Sequence, residues 1–385
     1  YVLSGGVPAP DTALLPAGGE TVIINGGGFY AGASVVINGT AQTTTLLSPT
    51  QLQFTSPALS AGSYTIYVTN TDGATAIYVP GIIYAGAPAI STPAAGSLGQ
   101  LYETQNVITI LGSSNTTIVA TAANTPITYT VVSGSLPPGT TLNSSTGIIS
   151  GNTQLTASST TYNFTIAANN VYNESTTRAY SITVNTDFIS WVNPALNGTL
   201  GVYEYTTPSN LSATDAASYG IVYTSNTATY NGNLVLSSTG TWSGNVGAAN
   251  SATANNNVFF RLTATANTTG RFANSNVTMA ILPDVVSFSS PANNTSYTLN
   301  QNVLMSNVSL SATSAAGFGV QYVANTLPTG VSLSGNTISG TPTVTGTTYT
   351  QVTATANTSG RFANLYLSWT VSIAADTYFN YTPLL

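Results

Sequence analysis

The sequence contains no cysteine, no histidine and no lysine, and each absence removes a class of chemistry. Without cysteine the chain cannot form disulfides, thiolate nucleophiles or zinc-thiolate sites. Without histidine a Ser-His-Asp triad is impossible, and without lysine so are Schiff-base and Ser-Lys schemes. The common forms of nucleophilic catalysis are therefore excluded.

Charge is scarce as well. Charged residues make up 4% of the 385 residues, whereas a soluble domain usually has about 25%. The four basic residues are all arginine, and the formal net charge is -6. Because a nucleic-acid backbone is bound through clustered Lys and Arg, we expect no nucleic-acid partner. We also expect no membrane insertion, since no apolar run approaches the roughly 20 residues that a membrane helix needs.

The ten carboxylates are the only candidate general acids or bases. A glycosidase needs two of them facing each other across the scissile bond, but no two lie close in sequence. Distant carboxylates could still meet in space, although their positions relative to the internal repeats favour turns and strand ends. We therefore expect no catalytic residues, no cofactor and no enzyme activity.

Thr, Val, Ile and Tyr are abundant and are punctuated by 35 Gly and 18 Pro, which favours strands separated by tight turns. No stretch repeats apolar residues with helical periodicity over three turns. Apolar and polar residues alternate at positions 260–264, as they do in a half-buried strand. The sequence therefore predicts an all-β chain.

An internal repeat sets the length of the folding unit. TATANTTGRFAN at residues 263–274 returns as TATANTSGRFAN at residues 353–364, ninety residues later, and about 100 residues form one β-sandwich. Arg271 and Arg361 take the same place in it, before a Phe that starts the next strand, so a hairpin turn is the simplest position. There the guanidinium can bond loop carbonyls while its stem covers the aromatic ring. We expect both arginines to have a structural role within their own domain.

A second repeat marks the starts of domains. Asp187, Asp284 and Asp376 each lie seven residues before a proline, with alternating apolar residues between. The pattern predicts a first strand that ends at the proline. Because the third copy lies close to the end of the sequence, residues 374–385 are predicted to begin a further, truncated domain.

A turn-rich segment, GSLPPGTTLNSSTGIISGNT at residues 134–153, is matched by residues 325–343 and more loosely by residues 231–245. It predicts two short strands around a polar Gly turn. The pattern resembles the Putative Ig domain family, which is related to cadherin-like modules. The second copy carries it best, in Leu327, Pro328, Gly330, Leu333, Ile338, Ser339, Gly340, Thr341 and Pro342. The copy at residues 231–245 departs most, since Trp242 replaces an aliphatic residue and no Leu-Pro precedes it.

Residues 14–84 follow another pattern, with glycine-rich turns, a Ser-Pro-Thr-Gln-Leu run and a turn after a Tyr-Thr-Ile-Tyr-Val strand. Its residues are Gly18, Gly19, Gly26, Phe29, Gly32 and the segments 48–52 and 70–73. This segment resembles the IPT/TIG immunoglobulin-like family. Together the two resemblances imply an elongated array of tandem immunoglobulin-like β-sandwich domains. The predicted domains are an IPT/TIG-like domain at 1–86, Putative Ig domains at 87–185, 186–283 and 284–373, and the truncated start at 374–385.

The likeness to cadherin-like modules raises the question of calcium, whose oxygen ligands can stiffen domain junctions. Such sites need clustered Asp and Glu, whereas each predicted junction offers a single Asp, so hydrogen bonds from local backbone amides to Asp187, Asp284 and Asp376 are favoured and no metal is expected. Exposed aromatic rings could instead stack on sugars. Trp242 is the candidate carbohydrate contact because it flanks a Gly turn, although core packing is favoured for every tryptophan.

The resemblances imply a non-enzymatic structural role, because both families occur as tandem modules in tailed phages and on bacterial surfaces. Near-identical adjacent repeats suit a fibre lengthened by duplication. We expect a phage tail fibre, head fibre or decoration protein on the virion surface. The alternative is an extracellular adhesin, pilus or S-layer subunit on the cell surface of a bacterium or archaeon. The expected partners are other virion or surface-layer proteins, further copies of the chain in a homo-oligomer, and cell-surface glycans.

Overall fold

The computed structural model describes residues 2–3, 13–226, 233–249 and 256–374. The chain divides into two compact units, Tyr1–Asp187 and Phe188–Leu385. Both units consist mainly of β-strands that pair in small sheets, which confirms the all-β prediction.

Each unit contains separate clusters of buried apolar side chains. Those of the first unit lie within residues 14–84 and within residues 90–184. Those of the second unit lie within residues 189–281 and within residues 286–371. We refer to the segments around these cores, in chain order, as domains 1 to 4. Their boundaries near residues 86, 185 and 283 stay predictions.

Domain 1 is a sandwich whose strands are β1 (Val2–Leu3), β2 (Thr21–Asn25), β3 (Ser34–Ile37), β4 (Thr40–Gln42), β5 (Thr44–Ser48), β6 (Gln51–Thr55), β7 (Gly62–Thr69) and β8 (Thr75–Tyr84). They form two four-stranded sheets in the orders β1-β2-β6-β5 and β4-β3-β7-β8. Burial alternates along β3, β6 and β2, where Val22 and Ile24 are buried and their neighbours are more exposed. The buried positions of both sheets share one core, as in a β-sandwich.

Domain 2 contains β9 (Ala89–Thr92), β10 (Gly96–Tyr102), β11 (Val119–Thr121), β12 (Thr128–Gly134), β13 (Thr140–Leu142), β14 (Ile149–Gly151), β15 (Thr160–Asn169) and β16 (Ser175–Asn185). Its sheets are β10-β16-β15-β12, β11-β9 and β13-β14. Two short helices, α1 (Val107–Leu111) and α2 (Ser113–Thr116), lie between β10 and β11. The Asn106 side chain caps α1 by accepting hydrogen bonds from the N–H groups of Ile108 and Thr109. One capped turn is too short to produce helical periodicity in the sequence.

Domain 3 contains β17 (Ile189–Asn193), β18 (Thr199–Tyr203), β19 (Ser212–Asp215), β20 (Ile221–Ser225), β21 (Val235–Leu236), β22 (Trp242–Ser243), β23 (Asn256–Ala266) and β24 (Phe272–Leu282). Its sheets are β18-β24-β23-β20, β17-β19 and β21-β22.

Domain 4 contains β25 (Val286–Ser290), β26 (Thr295–Asn300), β27 (Val308–Ser309), β28 (Ser311–Ser314), β29 (Val320–Ala324), β30 (Val331–Ser334), β31 (Thr337–Gly340), β32 (Gly346–Ala356) and β33 (Phe362–Ser372). Its sheets are β26-β33-β32-β29, β27-β31-β30 and β25-β28.

Domains 2 to 4 share one strand plan. The second strand of each pairs in parallel with the last, as β10 with β16, β18 with β24 and β26 with β33. The first strand belongs to another sheet and ends directly before a proline, Pro194 in domain 3 and Pro291 in domain 4. Proline has no N–H to donate to a ladder, so the chain changes sheets there. The predicted first strands are confirmed at the Asp187 and Asp284 copies, whereas the Asp376 copy lies outside the described residues.

The turn-rich segments form the predicted pairs of short strands, β13 with β14, β21 with β22 and β30 with β31. In domain 4, sterics explain why the last position of the Leu-Pro-x-Gly run is glycine. Gly330 has φ +92° and an added Cβ would lie 2.1 Å from the carbonyl oxygen of Thr341. Gly139 of domain 2 meets Asn152 in the same way, at 2.2 Å. Only glycine allows this approach.

Candidate functional site at the junction of domains 3 and 4

Glu204 is the centre of the site, at the end of domain 3 where the chain passes into domain 4. It follows β18 directly, and its N–H donates to the carbonyl of Leu282, the last residue of β24. The next residue, Tyr205, turns the chain with φ 58°. Because β18 and β24 are parallel neighbours, this pairing fixes Glu204 beside the start of the connection. The residue is 1% exposed.

The Glu204 carboxylate binds backbone on both sides of it. Its Oε2 accepts a hydrogen bond of 2.8 Å from the N–H of Ala249, in a loop of domain 3. Its Oε1 accepts one of 2.9 Å from the N–H of Asp284, the first residue of the predicted domain 4. The carboxylate therefore holds the connection against the loop of the preceding domain.

Arg361 reaches this carboxylate from domain 4. It lies in the turn between β32 and β33, where its carbonyl accepts from the N–H of Ala356 and Gly360 has φ 69°. Its Nε lies 2.8 Å from Glu204 Oε1, and its Nη2 lies 3.1 Å from Oε2. Nη2 also donates to the carbonyl of Ala249 at 3.3 Å. This two-point pairing is the geometry in which guanidinium binds a carboxylate best.

Asp284 fastens the same connection to domain 4. It is 3% exposed, and its Oδ1 accepts from the Ser314 hydroxyl at 2.7 Å and from the Ala316 N–H at 3.0 Å. Its Oδ2 accepts from the Ser359 hydroxyl, in the same hairpin turn as Arg361. The two carboxylates thus tie one short connection to a loop of domain 3 and to a hairpin of domain 4.

The hydrogen bonds keep both carboxylates ionised. Burial raises the pKa of Glu204, but the bonds from Arg361 and from the N–H groups of Asp284 and Ala249 outweigh it and hold the pKa below its ordinary value. Burial likewise raises the pKa of Asp284, and its bonds from Ser359, Ser314 and the local amides reverse that effect. The bond to Glu204 raises the pKa of Arg361. The site is therefore a fixed ion pair at neutral pH.

The charge of the Glu204 carboxylate is balanced by a side-chain cation, Arg361. The Glu204 oxygens are engaged by Arg361 and two N–H groups, and those of Asp284 by hydroxyl and N–H donors. Among the described residues, no group of three or more Asp, Glu, His or Cys could hold a metal ion. What the site can do chemically is join two domains.

The same carboxylate arrangement recurs at the end of domain 2. Glu103 follows β10, is fully buried and donates its N–H to the carbonyl of Asn185, the last residue of β16. Its Oε1 accepts from the N–H of Asp187 at 3.2 Å, and its Oε2 accepts from the N–H of Thr156 at 2.8 Å. In domain 4 the equivalent residue is Gln301. Its N–H donates a hydrogen bond to the carbonyl of Ser372, and its Nε2 donates one to the carbonyl of Thr343.

The junction between domains 1 and 2 relies on asparagine. Asn170, at the hairpin turn after β15, is 4% exposed and donates to the carbonyl of Gly86 at 2.9 Å. The Gly86 N–H approaches Oδ1 of Asn124 at 3.4 Å. The hairpin that carries Arg361 in domain 4 thus corresponds to the hairpin that carries Asn170 in domain 2. There the contact with the preceding connection is a hydrogen bond between neutral groups.

The other predicted site residues fall as follows. Arg271 occupies the turn between β23 and β24, and Asp187 is 2% exposed. Asp376 lies outside the described residues. Trp242 is 4% exposed and packs edge-on against Phe260 in the domain 3 core. It is therefore a core residue, and the suggested carbohydrate contact at Trp242 is wrong.

Glu103 and Glu204 were not predicted as site residues, and Arg361 was predicted to act within its own domain. The structure instead sets the guanidinium of Arg361 against domain 3. A weak signal was available. Each glutamate follows Tyr at a strand end and precedes the junction aspartate by 84 or 80 residues.

Comparison with known families agrees with this fold. Residues 10–80 match the IPT/TIG domain, and residues 88–185 match the family described as Putative Ig domain. The chain therefore carries an IPT/TIG domain followed by a Putative Ig domain, which confirms the predicted tandem immunoglobulin-like organisation. Domains of these types suggest an adhesion or structural extracellular protein and are typically non-catalytic.

Solved structures of multidomain ectodomains match most of the chain at low overall similarity. The human desmocollin-1 ectodomain is 14% identical over 97% of this chain and 79% of its own, with a TM-score of 0.30. Cadherin-like domains 1 to 4 of zebrafish RET are 13% identical over 94% of this chain and 97% of their own, with a TM-score of 0.32. No curated protein sequence matches the chain. Within its described part, no helix is long and apolar enough to span a membrane.

Proposed function

We propose that this chain is a non-enzymatic structural protein of a virion surface, such as a phage tail fibre, head fibre or decoration protein, whose domains act as spacers. The observation that carries the proposal is the ion pair between Glu204 and Arg361. Its cation is covalently part of the neighbouring domain, so the protein itself balances the charge of Glu204. A particle that passes through media of varying calcium content benefits from such a junction.

The composition and the repeats support the same role. With 4% charged residues, the surface is rich in hydroxyl and amide groups, which suit lateral contacts with other virion proteins or with further copies of the chain. The near-identical segments at residues 263–274 and 353–364 fit an array lengthened by duplication. The alternative is a bacterial or archaeal cell-surface adhesin, pilus or S-layer subunit, for which the same junction would serve.

The two roles differ in where the protein accumulates. Antibodies against the chain are applied to purified virus particles and to cell envelopes from the same culture, with immunogold electron microscopy and quantitative mass spectrometry as readouts. We expect the chain in the particles, in fixed ratio to the capsid protein. Recovery with the envelopes of uninfected cells would replace the virion proposal by the cell-surface alternative.

A further inference from the structure

An open groove crosses the outer face of the main sheet of domain 4. Its volume is about 490 Å³, and its lining residues belong to β32, to β33 and to the residues next to β26 and β29. Asn294 lies at one end, before β26, and Asn325 at the other, after β29. The groove belongs to domain 4 alone and shares no residue with the junction of Glu204 and Arg361.

Two exposed tyrosines line its floor. Tyr349 on β32 is 76% exposed, and Tyr366 on β33 is 48% exposed. Tyr349 pairs with Ser368, and Gln351 pairs with Tyr366, so the tyrosines are diagonal neighbours on one face. Such positions lie roughly 7–8 Å apart. Two large rings therefore face solvent side by side, and packing in the core does not account for them.

The groove also supplies neutral hydrogen-bonding groups. The Gln351 side chain contributes a primary amide with two donors and one acceptor oxygen. The Oδ1 of Asn325 accepts hydrogen bonds from the N–H groups of Thr326 and Gln351, and its Nδ2 carries two further donors. None of the residues that line the groove carries a charge.

The rings are particular to domain 4, although the groove is not. Domain 2 has a groove of about 430 Å³ at the same place, but Asn163 and Ala179 stand where domain 4 has Tyr349 and Tyr366. In domain 3 those positions hold Phe259 and Asn276, a single exposed ring. Because the pair of aromatic residues occurs in only one of these three domains, the shared fold does not explain it.

We infer that the groove on domain 4 binds a neutral oligosaccharide, with sugar rings stacked on Tyr349 and Tyr366 and their hydroxyls bonded to Gln351 and the flanking asparagines. A sugar ring has an apolar C–H face and a rim of hydroxyls, which match aromatic rings among uncharged amides. The backbone groups of the inner strands β32 and β33 are already paired, so an added peptide strand has no edge here. A nucleic acid would require basic residues that the groove lacks.

The test uses affinity electrophoresis of the full chain in gels that contain one soluble polysaccharide each. The neutral probes are dextran, mannan, galactan and xylan, and alginate is the acidic probe. We expect retardation by at least one neutral probe, weakened at least about tenfold by Tyr349→Ala or Tyr366→Ala, since about 1.4 kcal/mol corresponds to tenfold. Tyr349→Phe should retain binding because it keeps the ring.

The matched control is Phe259→Ala, which removes an exposed ring from the equivalent position of domain 3 and should leave retardation unchanged. Unchanged melting of the tyrosine variants separates loss of binding from loss of folding. The inference is overturned if no neutral probe retards the chain, if both alanine variants still bind, or if alginate alone binds. Each of these results leaves the structural role untouched, because that role depends on the junctions.

Discussion

Removing the guanidinium of Arg361 should weaken the second unit of the chain more than any other loss of charge on its surface. Breaking a buried ion pair by deleting one partner costs about 3–5 kcal/mol. The Arg361 side chain is 27% exposed and Glu204 is 1% exposed, and Glu204 keeps two N–H donors after the change. Water and these donors offset part of the loss. We therefore expect Arg361→Ala to lower the free energy of unfolding by about 2 kcal/mol.

Urea unfolding of the full chain, followed by tryptophan fluorescence, measures this loss. The chain has three tryptophans, Trp191, Trp242 and Trp369, all in domains 3 and 4, so the signal comes from the two domains that the ion pair joins. The matched control is Arg261→Ala, which removes the same charge from an exposed position of β23 and should change the free energy by less than about 0.5 kcal/mol.

A double-mutant cycle isolates the pair itself. Glu204→Gln, Arg361→Ala and the double variant should give a coupling energy of about 2 kcal/mol, well above the value for residues that do not interact. If Arg361→Ala costs no more than Arg261→Ala, or if the coupling is near zero, the ion pair contributes nothing to joining the domains and the reasoning is refuted.

Three further outcomes are expected. The pKa values of Glu204 and Asp284 are lowered in the folded protein, so the stability that these carboxylates contribute is complete above their ordinary pKa values of 4.5 and 3.8. This stability is lost as the pH falls through the lower pKa values of the folded state. The urea midpoint should therefore drop more steeply below about pH 4 in the wild type than in Glu204→Gln, and equal slopes would contradict this. Gly330→Ala should lower the free energy of unfolding in urea by about 3 kcal/mol or more, because its Cβ would lie 2.1 Å from a carbonyl oxygen. The control Gly335→Ala has φ +59° but open space around the new Cβ, and it should lower the free energy by about 1–2 kcal/mol. Similar losses in the two variants would show that the close approach at Gly330 does not matter. EDTA should leave the melting temperature unchanged, and a drop of several degrees would reveal a bound ion.

Local patterns predicted much of the fold. The first strands that end at Pro194 and Pro291, the short hairpins of the turn-rich segments and the burial of Trp369 all follow from neighbouring residues. Each depends on turn chemistry or on alternation over fewer than about ten residues, which a single sequence displays directly. Helix α1 was missed because its one turn depends on a side-chain cap rather than on periodicity.

The site could not be predicted in the same way. Glu204 and Arg361 are 157 residues apart, and nothing in either neighbourhood indicates that they meet. Their contact depends on how one domain is seated on the next. The paired tyrosines of domain 4 were overlooked for a related reason, because alternation says which residues share a face but not whether that face is the core or the solvent side.

The junction also says something about how such a chain can grow. Domain 3 carries the acidic half of the fastening, Glu204, at the end where the chain leaves it, and an arginine in the hairpin that corresponds to the Arg361 hairpin at the other end. A gene segment that encodes one such domain therefore encodes both the glutamate and the arginine of the ion pair. Placed between domains 3 and 4, an extra copy would present an arginine to Glu204 and a glutamate to Arg361.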